Sequence, residues 1–381
     1  KTDLIYTFSS YNDGSDYLSH LKEELLERGY TLKKRSSEEV YKKIVNSEET
    51  KYIVRLIKLI CNFISNFKTQ GYKEEQFDIF KSKTKNVRTR LFLDICRTCF
   101  LEYQKRLIQD NSTDFQDMIN ESAEFIRNKK ITKEQLGYKY IIVDEYQDIS
   151  RQRYNLIKEL SSLCNAKIVA VGDDWQSIYA FSGSILPLFT HFCDEFGYGQ
   201  ELKITRTYRN AQELINIAGN FVQRNSEQIR KSLVSNKRID NPVIIETYCD
   251  TVNKKKNEEE PKGGIYHYLG KAVNRSIQEI LNQNEKEGKK GIASILLIGR
   301  YGFDARNMCN SEDFNYDERS KTIYSTQFGK RVKLSFLTAH SSKGLSADNV
   351  IIINAKDELF GFPSQIEDDP VLSLVINQDD S

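Results

Sequence analysis

Proline is scarce in this chain, five residues in 381, and none of them falls among the first 137. A stretch without the main helix-breaking residue is free to be helical. Glycine, at 19, is far below the one-in-three usage of a triple helix, which excludes the collagen-like class. The seven cysteines are odd in number and scattered, so reduced thiols in a cytosolic protein are expected rather than a disulfide scaffold. No apolar run approaches the roughly 18 to 20 residues that span a bilayer, and the polar start lacks a signal-peptide core. Net charge is nearly absent as well: 56 basic against 54 acidic residues give +2, so the total says nothing about partners.

What is present fits a globular protein of two or three domains, with 39% hydrophobic and 29% charged residues. Charge is unevenly spread. From His20 to Gln109 there are 20 Lys/Arg against 12 Asp/Glu, a local +8. In this basic part, Ile53, Ile57, Ile60 and Ile64 recur at helical spacing, and further helical patterns cover Leu91 to Ile108 and Phe115 to Ile126. Between the first two lies Lys81 to Arg90, a run with five positive charges and no acid, which is either a solvated loop or a surface that tracks phosphates. Cys96 and Cys99 fall inside a helical pattern with no second Cys/His pair, so both are expected to be buried structural thiols.

After Gly137 the pattern changes. Short β-rich runs alternate with helical stretches: Tyr140 to Val143, Ile168 to Val171, Val243 to Ile245, Ser294 to Ile298, Lys333 to Leu337 and Val350 to Ile353. Apolar strands separated by helices predict an α/β fold with parallel sheets covered on both faces. Asn253 to Gly264 reads as an exposed linker and Ser311 to Ser325 as a surface excursion.

Chemistry gathers where the first two strands end. Asp144 and Glu145 follow Ile141-Ile-Val directly, at the carboxyl end where open α/β sheets bind ligands. One such carboxylate can hold Mg²⁺ while the other orients and deprotonates a water attacking a γ-phosphate; alone, the pair could equally be a solvated turn. The second strand again ends in glycine and acids: Gly172-Asp-Asp-Trp-Gln-Ser-Ile-Tyr-Ala-Phe-Ser-Gly183. An amide such as Gln176 can sense a terminal phosphate. Tyr179 and Phe181 either stack on unpaired bases or pack in a core.

These two segments resemble motifs II and III of superfamily 1 helicases of the UvrD/Rep type, and the second is most similar to the helicase IV branch. Thr207-Tyr-Arg-Asn210 resembles motif IV, and Leu337 to Leu345 with Asp348 resembles motif V. The similarity spans roughly residues 110 to 370. It implies two RecA-like parallel-sheet domains with a helical insertion subdomain. Residues 1–137 would be the helical, basic subdomain and 138–200 the second half of the first RecA-like domain. Residues 201–381 would be the second domain, with a small insertion near 250–264. It further implies ATP and Mg²⁺ as cofactors. Glu145 would be the general base, Asp144 the Mg²⁺ ligand and Gln176 the γ-phosphate sensor. Arg209 would stabilise transition-state charge, Tyr208 would stack on adenine, and Asp173 would line the nucleotide site. Single-stranded DNA or a single/double-strand junction would meet Tyr179, Phe181, Thr338, His340 and the basic run Lys81, Lys83, Lys85, Arg88 and Arg90. A bacterial cytoplasmic location follows, with a repair or defence partner open and no membrane.

The departures are specific. No Gly-x-x-x-x-Gly-Lys-Ser/Thr loop occurs, and the family's motif VI would follow residue 370. A fragment is therefore expected, inactive by itself, whose longer parent is an ATP-dependent 3′ to 5′ DNA translocase or helicase. The alternative is a non-enzymatic module, derived from such a helicase, that binds single strands or acts as a scaffold.

Overall fold

In a computed structural model, the described residues are 5–7, 17–33, 35–36, 39, 50–197, 199–249 and 262–376. They form two compact units, one from the described parts of 1–173, 179–198 and 369–381, the other from 174–178 and 199–368. Among the described residues no helix is long and apolar enough to cross a membrane.

The first unit is mainly helical: α1 (Tyr17–Glu27), α2 (Thr50–Thr69), α3 (Glu75–Lys83), α4 (Val87–Gln109) and α5 (Phe115–Arg127). Asn86 starts α4 by accepting from the Thr89 N–H at 3.1 Å, and Asp114 starts α5 by accepting from the Asp117 N–H at 2.8 Å. Each cap satisfies a donor that a helix start leaves without a partner. The buried stripe of α2 is not centred where the isoleucine spacing places it. Ile57 is mostly exposed, and the core face carries Phe63 and Phe67 with Ile60 and Ile64 beside them. Phe67 stacks on Phe77 of α3 with centroids 4.4 Å apart, and α4 adds Phe92, Leu93, Cys96 and Phe100. The last helix, Pro370–Ile376, contributes Val371, Leu372 and Val375 to this same core.

A buried charge cluster braces these helices. The Lys68 side chain is 4% exposed and lies against Asp114 and, at 2.6 Å, Asp117, while the Tyr103 hydroxyl donates to Asp114 at 3.0 Å. Burial alone would raise the Asp114 carboxyl, but hydrogen bonds from Lys68 and from the Asp117 N–H outweigh it and hold the group below its ordinary range.

Two expectations are corrected here. Lys81 to Arg90 is not a loop: it ends α3, turns through Thr84 to Asn86 and opens α4. Its positive charges also find acids elsewhere in the chain, with Lys81 pairing Asp94 at 2.6 Å and Arg88 pairing Asp369 at 2.8 Å. Cys96 is buried, its thiol pushed up to about 12 by burial with smaller effects of Cys99 and Cys61, but Cys99 faces solvent.

Past α6 (Lys133–Leu136), strand β1 (Tyr140–Val143) connects through α7 (Arg151–Cys164) to β2 (Lys167–Ala170). The two pair in parallel, Ile141 opposite Ile168 and Val143 opposite Ala170. They are not covered on both faces as expected, since Tyr140 is 61% and Ile142 73% exposed. The covered side meets Tyr146, Ile149, Tyr154 and Leu188, the last on the short helix α8 (Pro187–Thr190), with α9 (Phe192–Phe196) alongside.

The second unit contains α10 (Gln212–Val222), α11 (Ile265–Lys286) and a five-stranded sheet that encloses α12 (Phe303–Cys309) in its chain order. Its strands are β3 (Ala293–Gly299), β4 (Phe314–Asp317), β5 (Thr322–Ser325), β6 (Val332–Thr338) and β7 (Asn349–Ile352), ordered β4-β5-β6-β3-β7. β3 runs parallel to both β6 and β7. Leu269, Val273, Ile277 and Leu281 recur every fourth residue on α11 and share a core with Ile295, Leu297, Leu334 and Phe336.

The segment expected as a surface excursion instead holds the β4–β5 hairpin, which adds antiparallel strands beside β6 and buries Phe314 and Ile323. Val243 to Ile245 forms no strand; Pro242 just before it has no N–H to give a ladder, and Ile245 is 83% exposed. Of the expected linker, residues 253–261 lie outside the described residues, and 262–264 form a turn.

Candidate functional site

In the first unit, the carboxylates expected after β1 are placed at its carboxyl end and stay exposed. Asp144 Oδ1 accepts from the Glu145 N–H at 2.9 Å. Glu145 has φ of +51°, a left-handed conformation that is uncommon outside glycine and persists where surroundings enforce it. Two residues on stands Gln147, fully buried, which no motif reading singled out. Its amide nitrogen donates to Glu145 Oε2 at 2.5 Å, and its amide oxygen accepts from the Asp173 N–H at 2.9 Å. The backbone makes a parallel tie, Tyr146 N–H to the Val171 carbonyl at 2.9 Å. Gly172 explains itself in this frame, because a Cβ there would stand 2.5 Å from Gln147 Oε1. Glu145 and Asp173, beyond the ends of two neighbouring strands, are thus joined through one amide, and Asp144 is tied to the Glu145 N–H.

Tyr179 and Phe181 lie on a further turn of this unit, rings edge to face at 6.0 Å. Phe181 is 48% exposed, which removes core packing as its explanation, while Tyr179 is half-buried. The turn is fixed by Gly183, at φ of +88°, where a Cβ would meet Thr69 Cγ2 of α2 at 2.9 Å. Of the basic run, Lys83, Lys85 and Arg90 are exposed and make no ion pair among the described residues; Lys81 and Arg88 are engaged as described.

In the second unit, Gln176 is half-buried at the end of a one-turn helix from Asp174. That turn is anchored by Asp174, 1% exposed, which accepts from the Ile229 N–H at 2.7 Å and from Lys231 Nζ at 2.8 Å. Lys231 also lies over the Trp175 ring, 4.7 Å from its centroid. Tyr208 is 70% exposed just before α10, and Arg209 beside it is exposed, its carbonyl accepting from Lys237 at 3.1 Å. Among the described residues no carboxylate pairs with the Arg209 guanidinium.

Thr338 ends β6, where its hydroxyl donates to Ser341 Oγ at 2.9 Å, and His340 follows on the same turn. Because β3 and β6 end side by side, Arg300 just past β3 reaches His340 Nδ1 at 3.0 Å. A guanidinium only donates, so Nδ1 is the acceptor and the imidazole is held neutral. Burial and then the neighbouring Arg300 charge lower the His340 pKa. Arg300 is a second residue that the sequence reading missed, since its only sequence signal is its place immediately after a buried strand.

A family model for the UvrD/REP helicase N-terminal domain matches residues 4–197, just over half of the chain. DNA helicase IV of Escherichia coli is 28% identical over 256 residues, covering 67% of this chain and 31% of that protein. A probable DNA helicase II homolog of Rickettsia felis is 28% identical over 331 residues, covering 84% of this chain and 46% of that protein. ATP-dependent DNA helicase PcrA of Staphylococcus epidermidis is 30% identical over 138 residues, 36% of this chain and 19% of that protein. The chain spans less than half the length of each of these relatives.

Proposed function

The chain belongs to the UvrD/REP helicase family, and from that premise we propose that it is part of an ATP-dependent DNA helicase or translocase. It would move 3′ to 5′ on single-stranded DNA and couple Mg-ATP hydrolysis to strand separation. The lock made by Gln147 carries the proposal: a fully buried amide that registers Glu145 against the Asp173 backbone is positioning machinery that a solvated acidic turn does not need.

Glu145 would draw the proton from the water that attacks the γ-phosphate, its carboxylate aimed by Gln147. Asp144, exposed at the strand end, suits Mg²⁺, an ion held through one or two carboxylates plus water and phosphate oxygens. When bound, that ion neutralises phosphate charge. Gln176 would sense the terminal phosphate, Tyr208 would offer its exposed face to adenine, and Arg209 would place a fork of donors on the transferring group. Tyr179 and Phe181 would stack on bases, while Thr338 and His340, with Lys83, Lys85 and Arg90, would meet the strand's phosphates. The 381 residues contain no phosphate-cradling Gly-Lys-Ser/Thr loop, so alone they are expected not to turn over ATP.

The test uses a form of the protein that carries such a loop. Arg209→Ala should cut hydrolysis by about 10³–10⁵, the range of a well-placed arginine, with nucleotide-free affinity for single strands unchanged. Arg209→Lys should not restore turnover, because a point charge does not reproduce the planar fork. Wild-type turnover in Arg209→Ala, or joint loss of folding and DNA binding, would make this arginine structural.

A further inference from the structure

A short piece of this chain, Asp174 to Ile178, belongs to the second unit although Asp173 before it and Tyr179 after it belong to the first. What holds it there is a set of contacts around one lysine. The Asp174 carboxylate, 1% exposed, needs a cation to offset its loss of water, and Lys231, whose own side chain is only 13% exposed, supplies it at 2.8 Å. The Ile229 N–H donates to the other oxygen of that carboxylate at 2.7 Å, and the Trp175 indole N–H donates to the Ile229 carbonyl at 3.3 Å. Lys231 Nζ also stands 4.7 Å from the Trp175 ring centroid, a distance at which an ammonium and an indole attract. The same ring lies against Gly219 of α10, where a Cβ would come within 3.0 Å of it.

Lys231 is itself tied to α10. Its N–H donates to Gln223 Oε1 at 3.1 Å, and the Gln223 amide donates to the Gly219 carbonyl at 3.2 Å. The Ser177 N–H closes the turn by donating to the Asp174 carbonyl at 3.0 Å. Gln176 stands inside this turn, directly after Trp175, so the grip on Asp174 and Trp175 fixes its backbone. α10 opens at Gln212, just past Tyr208 and Arg209.

Resting on the hydrolytic reading above, we propose that Lys231 is a positioning residue for ATP turnover. Through Asp174 and Trp175 it seats the Gln176 turn on α10. The amide that meets the terminal phosphate and the arginine that meets the transferring group are then placed by one part of the chain. Lys231 touches no nucleotide in this role; its effect is on geometry, and a misplacement of about 1 Å at a reacting group costs about 10²-fold in rate.

The test uses a form of the protein with a phosphate-cradling loop and compares Lys231→Met, Lys231→Arg, Gln176→Ala and the double variant Asp174→Asn/Lys231→Met. The double variant is needed because Lys231→Met alone leaves Asp174 buried without a cation, which is strongly destabilising. The double variant, and Lys231→Met where it folds, should lose about 10²-fold in kcat, with the KM for ATP and nucleotide-free single-strand affinity kept. Lys231→Arg still pairs a carboxylate and covers an indole, so it should keep most of the turnover. The 381-residue chain has a single tryptophan, so acrylamide quenching of its emission reads the turn directly. Quenching should rise in the double variant and stay at the wild-type level in Lys231→Arg. Wild-type kcat in the double variant with Gln176→Ala impaired would overturn the positioning role alone, as would a joint loss of turnover and strand affinity. Wild-type kcat in Gln176→Ala would overturn the sensor reading and this inference with it.

Discussion

The two sheets among the described residues hold their strand ends by different means. β1 and β2 make a two-stranded sheet with Tyr140 and Ile142 largely exposed, and one buried glutamine joins Glu145 and Asp173 beyond them. β3 and β6 lie inside a five-stranded sheet whose inward residues Ile295, Leu297, Leu334 and Phe336 are almost fully buried. There the backbone itself brings Arg300 and His340 together, with the Ala339 N–H donating to the Gly299 carbonyl at 2.9 Å. Where a sheet is thin, side-chain hydrogen bonds supply the registration that packing supplies elsewhere. The helical part of the first unit repeats the lesson, since a charge cluster around Lys68 joins helices that the aromatic core alone does not fully tie.

The largest effects should fall on these contrasting supports. Lys68→Ala leaves Asp114 and Asp117 without their buried partner and should cost about 3–5 kcal/mol in a urea unfolding experiment. Leu297→Ala, in the aliphatic core of the second unit, should cost a comparable 2–5 kcal/mol or so. A cost near zero for Lys68→Ala would mean that charge does not brace the first unit.

The next effect is on binding. Neutralising Lys83, Lys85 and Arg90 should flatten the salt dependence of single-strand affinity by about 2 in slope, at roughly 0.7 per phosphate contact. Neutralising the engaged Lys81 and Arg88 should change it less. Tyr179→Ala should weaken binding by about 1–3 kcal/mol with the slope nearly kept. Equal slopes for all of these charge variants would make these charges a solvated face.

The smallest effect concerns pH. His340 is neutral at neutral pH because burial and Arg300 lower its pKa. As pH falls below the ordinary imidazole value of about 6.5, the unfolded chain takes up this proton first. The stability that the neutral ring contributes is therefore present above that value and is lost as pH falls through the lowered folded-state pKa. In the folded protein the same protonation adds a second positive charge beside Arg300. Single-strand affinity should then rise on acidification in the wild type more than in His340→Gln, and equal pH profiles would remove His340 from the contact.

Much of this architecture is legible in the amino-acid order. β1, β2, β3, β6 and β7 stand out because each is a run of β-branched and aliphatic residues, and the strand-end acids stand out by position. The β4–β5 hairpin does not, because Asp313, Asn315 and Asp317 surround the inward Phe314 and make an edge hairpin look like a loop. Val243 to Ile245 misleads in the opposite direction, β-rich in composition but without a pairing partner among the described residues. Gln147, Arg300 and Lys68 do not stand out because each makes a key contact with a neighbour distant in sequence, Asp173, His340 and the pair Asp114 and Asp117. The partners of Lys68 lie 46 and 49 residues away.

On the proposed reading, the first sheet carries the hydrolytic base and leaves strand binding to other residues. Glu145→Gln in a form of the protein with a phosphate-cradling loop tests it most directly, with DNA-stimulated ATP hydrolysis and nucleotide-free single-strand affinity measured on the same sample. The expected result is a loss of about 10²–10⁴ in turnover, the range of a general base, with strand affinity unchanged. Turnover equal to wild type, or a parallel loss of strand affinity, would contradict it.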